Sequence, residues 1–233
     1  MLQLLIFIIT TFDDRTWDRD AKYFYYKHGP LARTETGNAK VQGQDYAYTL
    51  QGWIKAVNSN SLNTAHDMGA DGNTALTSNF YSAPDEMGYS LSYYSGDYAS
   101  IATSSVVAST TGSGLDAASP NLYNGNIRHM VTSIRKFMIG SATPQAMAYK
   151  YDQLNRIRSS EQYTNINLAT NSWNSGGSGN AAYKEIFTYD HNGNIIRQKR
   201  NDNTSTAMED LHYYYYTTAV TPTTYDPQSG TPT

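Results

Sequence analysis

The amino-acid sequence predicts an all-β protein built from stacked β-hairpins with long loop insertions. Three observations lead to this fold class. One aromatic motif recurs four times along the chain, each time with the pattern of a hairpin. Tyrosine is abundant, with 21 residues, whereas Leu, Ile, Val and Phe together make up only about 16% of the chain. Stretches rich in Asn, Asp, Gly, Ser and Thr separate the aromatic segments, as loops do.

The recurring motif has two aromatic residues separated by one residue. Gly or Asn lies four positions after the second aromatic residue, and Leu or Ile lies two positions after the Gly or Asn. A basic residue follows in every copy, and these residues are Arg33, Lys55, Arg158 and Arg197. The four copies are Tyr23/Tyr25/Gly29/Leu31, Tyr46/Tyr48/Gly52/Ile54, Tyr149/Tyr151/Asn155/Ile157 and Phe187/Tyr189/Gly193/Ile195.

Each copy of the motif has the physical character of a hairpin. Alternating aromatic residues place two rings on one face of a strand, where we expect them to be substantially buried. Gly or Asn supplies the positive φ that a tight turn needs. The apolar residue then begins the return strand. Single hairpins are marginally stable, but stacked hairpins bury a continuous face.

The first 19 residues form an N-terminal apolar segment, and the sequence leaves its status open. Leu2 to Ile9 is too short to span a bilayer. It also lacks the positive n-region and the small-residue cleavage site of a secretory signal. A buried strand, a start codon inside a longer gene and a poor signal peptide remain the alternatives.

The predicted β region extends over residues 20–217. Residues 20–57 predict two consecutive hairpins. Residues 58–87 predict a long insertion with one short helix, and residues 99–121 and 164–182 predict two further loops.

Turn signals lie between the predicted insertions and after them. Gly96-Asp97 lies within an alternating segment and predicts a hairpin, and Asn124-Gly125 predicts another. Residues 127–163 predict two or three strands, and residues 183–217 predict the last hairpin pair. Residues 218–233 are rich in Thr, Pro and Gly and predict a disordered tail.

Aspartate follows the second aromatic residue in two copies of the motif, at Asp152 and Asp190. The segments Tyr149–Ile157 and Phe187–Ile195 resemble YD repeats. These are the repeats of the rearrangement-hot-spot (RHS) proteins, of insecticidal toxin-complex shells and of teneurins. The segment Tyr46–Lys55 resembles a degenerate member of the same series.

The resemblance covers most of residues 20–216, with long interruptions. In that family the repeats form a long β-sheet that spirals into a hollow shell, which often encloses a toxic C-terminal domain. The resemblance therefore implies a non-enzymatic structural protein, secreted or at the cell surface, whose hairpins form part of a curved or spiral sheet. Its partners would be the remainder of a larger shell and an encapsulated C-terminal toxin domain.

Two features depart from the family pattern. The spacings between the turn residues of the four copies are 23, 103 and 38 residues rather than one steady period. The C-terminal core of the family, which carries self-cleaving aspartates in many members, has no counterpart, because Asp226-Pro227 alone is too little. The chain therefore resembles a fragment of a larger shell.

Two other classes of function stay open. A surface binding module would use the tyrosine-rich sheet with Trp17, Trp53 and Trp173 to contact a glycan or a protein ligand. A hydrolase with a site assembled from loops is a third class. A shell segment needs open sheet edges, whereas a binding module closes its own core.

No motif predicts a catalytic, cofactor-binding or metal site, and we expect no enzymatic activity, no cofactor and no bound metal. Asp190, Asn192 and Asn194 imitate the first ligand positions of a calcium loop, but Ile195 and Asn201 stand where that loop needs Gly and Glu. At a hairpin turn an aspartate accepts backbone N–H groups and needs no chemical role.

The remaining polar motifs are equally incomplete. The segment Asp67–Asn73 lacks the alternate spacing of calcium ligands. Ser113 and Ser178 lie among glycines without completing a nucleophile motif. Five scattered histidines lack the helical spacing of a zinc motif; they are His28, His66, His129, His191 and His212.

Charge and cysteine content exclude further classes. The net charge is −3 and the sequence pI is about 5.9. Nucleic-acid binding is not expected, because it needs clustered positive charge. The chain has no cysteine, which excludes thiol chemistry, disulfides and cysteine-based zinc sites.

Overall fold

In a computed structural model of the chain, the regular secondary structure of the described residues is almost entirely β-strand, and the predicted all-β class is confirmed. The structure describes residues 4–10, 17–72, 79, 81–101, 107–135, 144–164, 166–173 and 180–215, with side chains from residue 19 onward except at residue 180. The predicted tail, Asp226-Pro227 and Ser178 lie outside the described residues, and so does the side chain of Trp17.

The described residues contain fourteen strands and one short helix, α1, at Gly114–Ala118. The strands are β1 Leu4–Thr10, β2 Trp17–Tyr25, β3 Leu31–Thr36, β4 Gln42–Tyr48, β5 Ile54–Val57, β6 Met87–Ser92, β7 His129–Ile134, β8 Gln145–Tyr151, β9 Ile157–Tyr163, β10 Ile166–Asn167, β11 Ser172–Trp173, β12 Asn180–Tyr189, β13 Ile195–Asn201 and β14 Ala207–His212.

Twelve of these strands form one antiparallel sheet. Each strand pairs with its neighbours in sequence, from β1 to β9 and then from β12 to β14, while β10 and β11 form a separate pair. β1 is one edge strand of this sheet and includes most of the apolar run from Leu2 to Ile9. β14 is the other edge strand.

The four hairpins predicted from the motif are present, and they share one irregularity. In each hairpin the second aromatic residue of the motif is paired with the apolar residue that begins the return strand, and the register then shifts by one residue. Such a shift is a β-bulge, which increases the local twist of the strands. The pairs are Tyr25 with Leu31, Tyr48 with Ile54, Tyr151 with Ile157, and Tyr189 with Ile195.

The two hairpins predicted at Gly96-Asp97 and at Asn124-Gly125 are wrong. Both segments turn, and Gly96 and Gly125 have positive φ. However, they lie within one long connection, residues 93–128, between β6 and β7, and these two strands pair with each other. Turn residues specify a local bend, but the identity of the paired strands depends on packing over the whole sheet.

A row of six buried residues crosses the middle of the sheet and marks its covered face. Each residue is directly opposite the next on the neighbouring strand. All are at most 6% exposed, and four of them are Ala or Ser, which leaves room for chain to pack closely above them. The row is Ala47, Ala56, Ser90, Val131, Ala146 and Tyr163.

The three insertions pack onto this covered face. Asn60, in the connection of residues 58–86, donates from Nδ2 to the Ser90 hydroxyl at 3.2 Å and accepts from the Ala108 N–H at 3.2 Å. A Cβ at Gly88 would collide with the carbonyl oxygen of Ser59, so this contact requires glycine. The short helix predicted within residues 58–87 is absent from their described part, and α1 lies in the next insertion instead.

The apolar core is shared between the sheet and the insertions. The insertions contribute Ala108, Leu115, Ile166 and Trp173, and these residues pack against Val131, Ala146, Ala148 and Tyr163 of the sheet. Ser109 also exchanges backbone hydrogen bonds with Asn171 and Trp173 at 2.9 and 2.8 Å. The insertions therefore form a second layer that closes a core.

The aromatic pairs of the motif lie on the opposite face of the sheet, which we call the tyrosine face. In β8, Ala146 and Ala148 are buried on the covered face, whereas Tyr149 and Tyr151 are only half-buried. Each aromatic pair shares one face, as predicted, and its rings are partly buried there, but the fully buried core lies on the other face. The reason is that the insertions cover the alanine side of the strands rather than the aromatic side.

Candidate functional site

Five turns of the sheet share one hydrogen-bonding pattern. In each turn the N–H of the first residue donates to the carbonyl of the fifth, and the N–H of the fourth donates to the carbonyl of the first. The fourth residue always has positive φ. The first and fourth residues are Tyr26 and Gly29, Thr49 and Gly52, Asp152 and Asn155, Asp190 and Gly193, and Asp202 and Ser205.

The YD aspartates begin two of these turns and stabilise them. Asp190 Oδ1 accepts the N–H groups of Asn192 and Asn194 at 2.9 and 2.8 Å, and Asn194 Nδ2 donates to Oδ2 at 2.8 Å. The side-chain hydrogen bond from Asn194 lowers the pKa of Asp190, with backbone N–H groups adding to the effect. The three residues that imitate a calcium loop therefore form the turn itself.

Asp202 makes the same turn, and the sequence argument missed it. Its Oδ1 accepts the N–H groups of Thr204 and Thr206 at 2.7 and 2.9 Å. Ser205 takes the positive-φ position that Gly or Asn holds elsewhere. The available signal was an aspartate followed at two and four positions by threonine, without an aromatic pair before it.

Four tyrosine hydroxyls bond back to a preceding part of the sheet, and we call these contacts tyrosine ties. Each hydroxyl donates to the carbonyl of the isoleucine at the start of a return strand or, for Ile127, just before it. Two of the four tyrosines are those of the YD motif. The ties are Tyr93 to Ile54 at 2.9 Å, Tyr151 to Ile127 at 2.9 Å, Tyr189 to Ile157 at 2.6 Å and Tyr215 to Ile195 at 3.0 Å.

A second polar feature, the acidic cluster, consists of Asp45, Asp67 and Asp71. Asp45 lies on β4, and the other two lie in the connection between β5 and β6. One carboxylate oxygen from each residue can be chosen so that all three lie within 4.8 Å of one another. Sequence spacing could not reveal this set, because the fold brings Asp45 to Asp67 and Asp71.

Arg33, on β3, links two members of the acidic cluster. Its Nη1 donates to Asp45 Oδ2, and its Nη2 donates to Asp71 Oδ1 at 2.6 Å. A Cβ at Gly43 would collide with Asp71 Oδ2, and a Cβ at Gly69 would collide with Asp45 Oδ2. Both glycines are therefore needed for the close packing of these carboxylates.

Burial dominates the electrostatics of the acidic cluster. It raises the pKa of Asp45 to about 7, with Arg33 opposing the rise and Asp67 and Asp71 adding to it. Burial also raises the pKa of the adjacent Asp85, and the charges of Asp67 and Asp71 raise it further. Ionisation of Asp45 and Asp85 is thus unfavourable unless further positive charge is nearby.

The other candidate residues from the sequence lie apart from the acidic cluster. Ser113 is the N-cap of α1 and accepts the N–H of Asp116 at 3.1 Å. Trp173 is 5% exposed in the core, which contradicts the surface role expected for it in a binding module. Trp53 is half-buried, and its ring lies 4.8 Å from that of Tyr93.

The five histidines have different surroundings. His129 is completely buried on the covered face. Burial lowers its pKa to about 3, and Arg128 and Lys55 lower it further while Asp116 opposes them. His66 is half-buried, whereas His28, His191 and His212 are exposed.

A cleft of about 530 Å³ lies between the insertions and the sheet. Its lining includes Tyr94, Tyr98 and His66, and the ion pair between Lys55 Nζ and Asp97 Oδ1, 2.7 Å apart, lies on one side. The volume falls within the range of small-ligand sites.

No protein-family model matches the chain, and the search of curated proteins finds no match. Among the described residues, no helix has the length and apolar character needed to cross a membrane.

Proposed function

We propose that this chain is a non-enzymatic structural module of an RHS/YD-repeat shell that encapsulates or displays a toxin or effector domain. One observation carries the proposal, namely the series of tyrosine ties that joins successive hairpins. The YD motif supplies two of these ties, through Tyr151 and Tyr189. The defining residues of the repeat therefore have a structural role that needs no chemistry.

The connectivity of the sheet supports this proposal. Successive hairpins lie side by side in chain order, so each one contacts mainly its neighbours, as in repeat proteins. Such an array lengthens by adding one unit at an end. The three insertions cover one face of the array, so the described segment is two layers thick.

The region around β14 supports continuation of the array. Tyr213 and Tyr215 repeat the aromatic spacing of the motif, and the tie from Tyr215 to Ile195 repeats those inside the sheet. They correspond only to the aromatic positions of the motif, since Ala219 and Thr221 stand where the motif has Gly or Asn and Leu or Ile. Large apolar side chains at this end are 38% to 55% exposed; they are Ile186, Ile196, Met208, Leu211, Tyr213, Tyr214 and Tyr215.

The partner at this edge would be the next hairpin of a larger shell, and the family resemblance places such a shell outside the cell. An unpaired strand with exposed apolar residues is a template for pairing. The full-length chain at micromolar concentration should therefore associate in sedimentation velocity experiments. The double variant Met208→Lys/Leu211→Lys should associate less, because charge on an edge strand opposes pairing.

Leu50→Lys is the matched control, since Leu50 is fully exposed in the turn between β4 and β5. This variant should associate as the wild type does. A stable wild-type monomer would contradict an open edge and favour a self-contained module. If Leu50→Lys reduces association as much as Met208→Lys/Leu211→Lys does, association does not use β14.

The cleft beside the Lys55–Asp97 ion pair favours a second candidate function, a surface module that binds a glycan or a protein segment. Tyr94 and Tyr98 offer aromatic surface of the kind that sugars and peptides contact. Glycan-array binding that is lost in Tyr98→Ala and retained in Tyr183→Ala would support this function. Tyr183 is half exposed and does not line the cleft.

A further inference from the structure

We propose that Asp45, Asp67 and Asp71 bind one divalent cation and that calcium is the ion that fits them best. All ligand atoms in this set are carboxylate oxygens, which hard cations prefer. The ion would fasten the connection of residues 58–86 onto β4. It would thus hold one of the insertions that cover the sheet.

The spacing of the oxygens is compatible with a shared calcium ion. Ca²⁺–O distances of about 2.3–2.6 Å allow two ligands of one ion to lie up to about 5 Å apart. The three carboxylates lie within this limit, because their oxygens are within 4.8 Å of one another. Mg²⁺ demands near-ideal octahedral geometry and usually keeps several waters, so a set of three protein carboxylates suits it less well than it suits Ca²⁺.

Two buried oxygens of the acidic cluster lack a hydrogen-bond donor. Asp71 is 1% exposed, and its Oδ2 has no partner among the described residues; the same holds for Asp67 Oδ1. Arg33 does not satisfy Asp71 Oδ2, because its Nη2 bonds to Oδ1 instead. Leaving a buried carboxylate oxygen unsatisfied is costly, and a bound cation would remove that cost.

The charge around the cluster is also unbalanced. Glu35 and Asp85 adjoin the three aspartates, which makes five carboxyl groups. Arg33 and Lys40 are the basic residues that form ion pairs with this group in the described part of the chain. Residues 56–127 contain six acidic residues and neither Lys nor Arg, so the segment that covers the cluster supplies no permanently charged cation.

Calcium titration of the full-length chain, stripped with EDTA and dialysed, tests this site. Isothermal titration calorimetry should show one Ca²⁺ per chain with a Kd in the range of about 10⁻⁶–10⁻³ M. Thermal unfolding followed by circular dichroism should shift upward by a few degrees in calcium, and less in magnesium at equal concentration. If the stripped chain is unfolded, addition of calcium should restore its β-sheet spectrum.

Asp67→Asn is the most informative variant, because Asp67 is only half-buried and forms no ion pair with the residues that the structure describes. It should raise the Kd for calcium by about tenfold or more. Asp190→Asn is the control, since it makes the same substitution in a turn aspartate. It should leave calcium binding unchanged.

Three results would overturn the proposal. The first is a stripped wild-type chain that binds no calcium. The second is a Kd that Asp67→Asn leaves unchanged. The third is equal loss of binding in Asp67→Asn and Asp190→Asn, which would place the ion elsewhere or show that its binding is nonspecific.

Discussion

Replacing Tyr189 by Phe isolates the contribution of one tyrosine tie. The Tyr189 hydroxyl donates to the Ile157 carbonyl at 2.6 Å and thereby connects the β12–β13 hairpin to the β8–β9 hairpin. The ring also lies under the Arg156 guanidinium, 4.6 Å from the ring centroid. Phenylalanine retains the ring and this cation–π contact, so the substitution removes only the hydrogen bond.

The expected loss of unfolding free energy is about 1 kcal/mol, the typical net contribution of a protein hydrogen bond. A much larger loss is not expected, because the contact is only part-buried and water can reach the Ile157 carbonyl. Tyr189→Ala also removes the half-buried ring and should cost roughly 2 kcal/mol, about half the cost of truncating a fully buried aromatic residue. Tyr151→Phe should behave as Tyr189→Phe does.

Urea denaturation followed by circular dichroism at low protein concentration measures these losses. Tyr183→Phe is the control, because the Tyr183 hydroxyl donates to no described group and the side chain is 50% exposed. Hydrogen exchange should locate the effect of Tyr189→Phe in β12–β14 and leave β2–β5 unchanged, because hairpins in an array couple mainly to their neighbours. A loss equal to that of Tyr183→Phe would refute the structural role assigned to the ties.

Three further predictions concern the core, a turn and a buried histidine. Leu115→Ala should cost about 2–3 kcal/mol in urea melts, because Leu115 is 1% exposed within the core that the insertions close; Leu50→Ala is the matched exposed control, and equal small losses would show that the insertions are not packed. Asp190→Ala should lower the melting temperature, because the N–H groups of Asn192 and Asn194 lose their acceptor; an unchanged melting temperature would contradict a stabilising turn aspartate. His129 has a folded pKa of about 3, below its value in the unfolded chain. The unfolded chain therefore takes up the proton first, so the contribution of His129 to stability should be fully present above about pH 6.5 and fall by up to roughly 4–5 kcal/mol as the pH drops toward 3. The raised pKa values of Asp45 and Asp85 act in the opposite direction, so the contribution of His129 is the difference between the wild-type profile and that of His129→Leu. Identical profiles for the two proteins would contradict this contribution.

The four hairpins of the recurring motif could be predicted from the sequence because each is specified by residues close together in the chain. Gly52 and Gly193 are needed where the turn has positive φ, and the apolar residue that follows marks the start of the return strand. Local chemistry also placed Asp152 and Asp190 at turns. These are short-range interactions, which a single sequence contains in full.

The core could not be predicted, because it depends on contacts between distant segments. Alanine and serine in the central row carry little hydrophobic signal, whereas the tyrosines carry a strong one. The prediction therefore placed the core on the tyrosine face. Only the packing of Leu115 and Trp173 from the insertions shows that the other face is covered.

The acidic cluster was missed for the same physical reason. Asp67 and Asp71 lie four positions apart, which does not fit a calcium loop, and their third partner is Asp45 on β4. Metal-site patterns in a sequence assume that ligands lie in one short segment. This set forms only where the connection between β5 and β6 packs against β4, so it cannot be recognised before that packing is known.

Electron cryomicroscopy of the complete natural gene product tests the central claim most directly. The account predicts that further hairpins, with the same turns and tyrosine ties, extend the sheet beyond β14, and that the extended sheet forms a wall around an enclosed domain. A structure in which the edge of β14 is covered by segments without this repeat, with no enclosed space, would contradict the account.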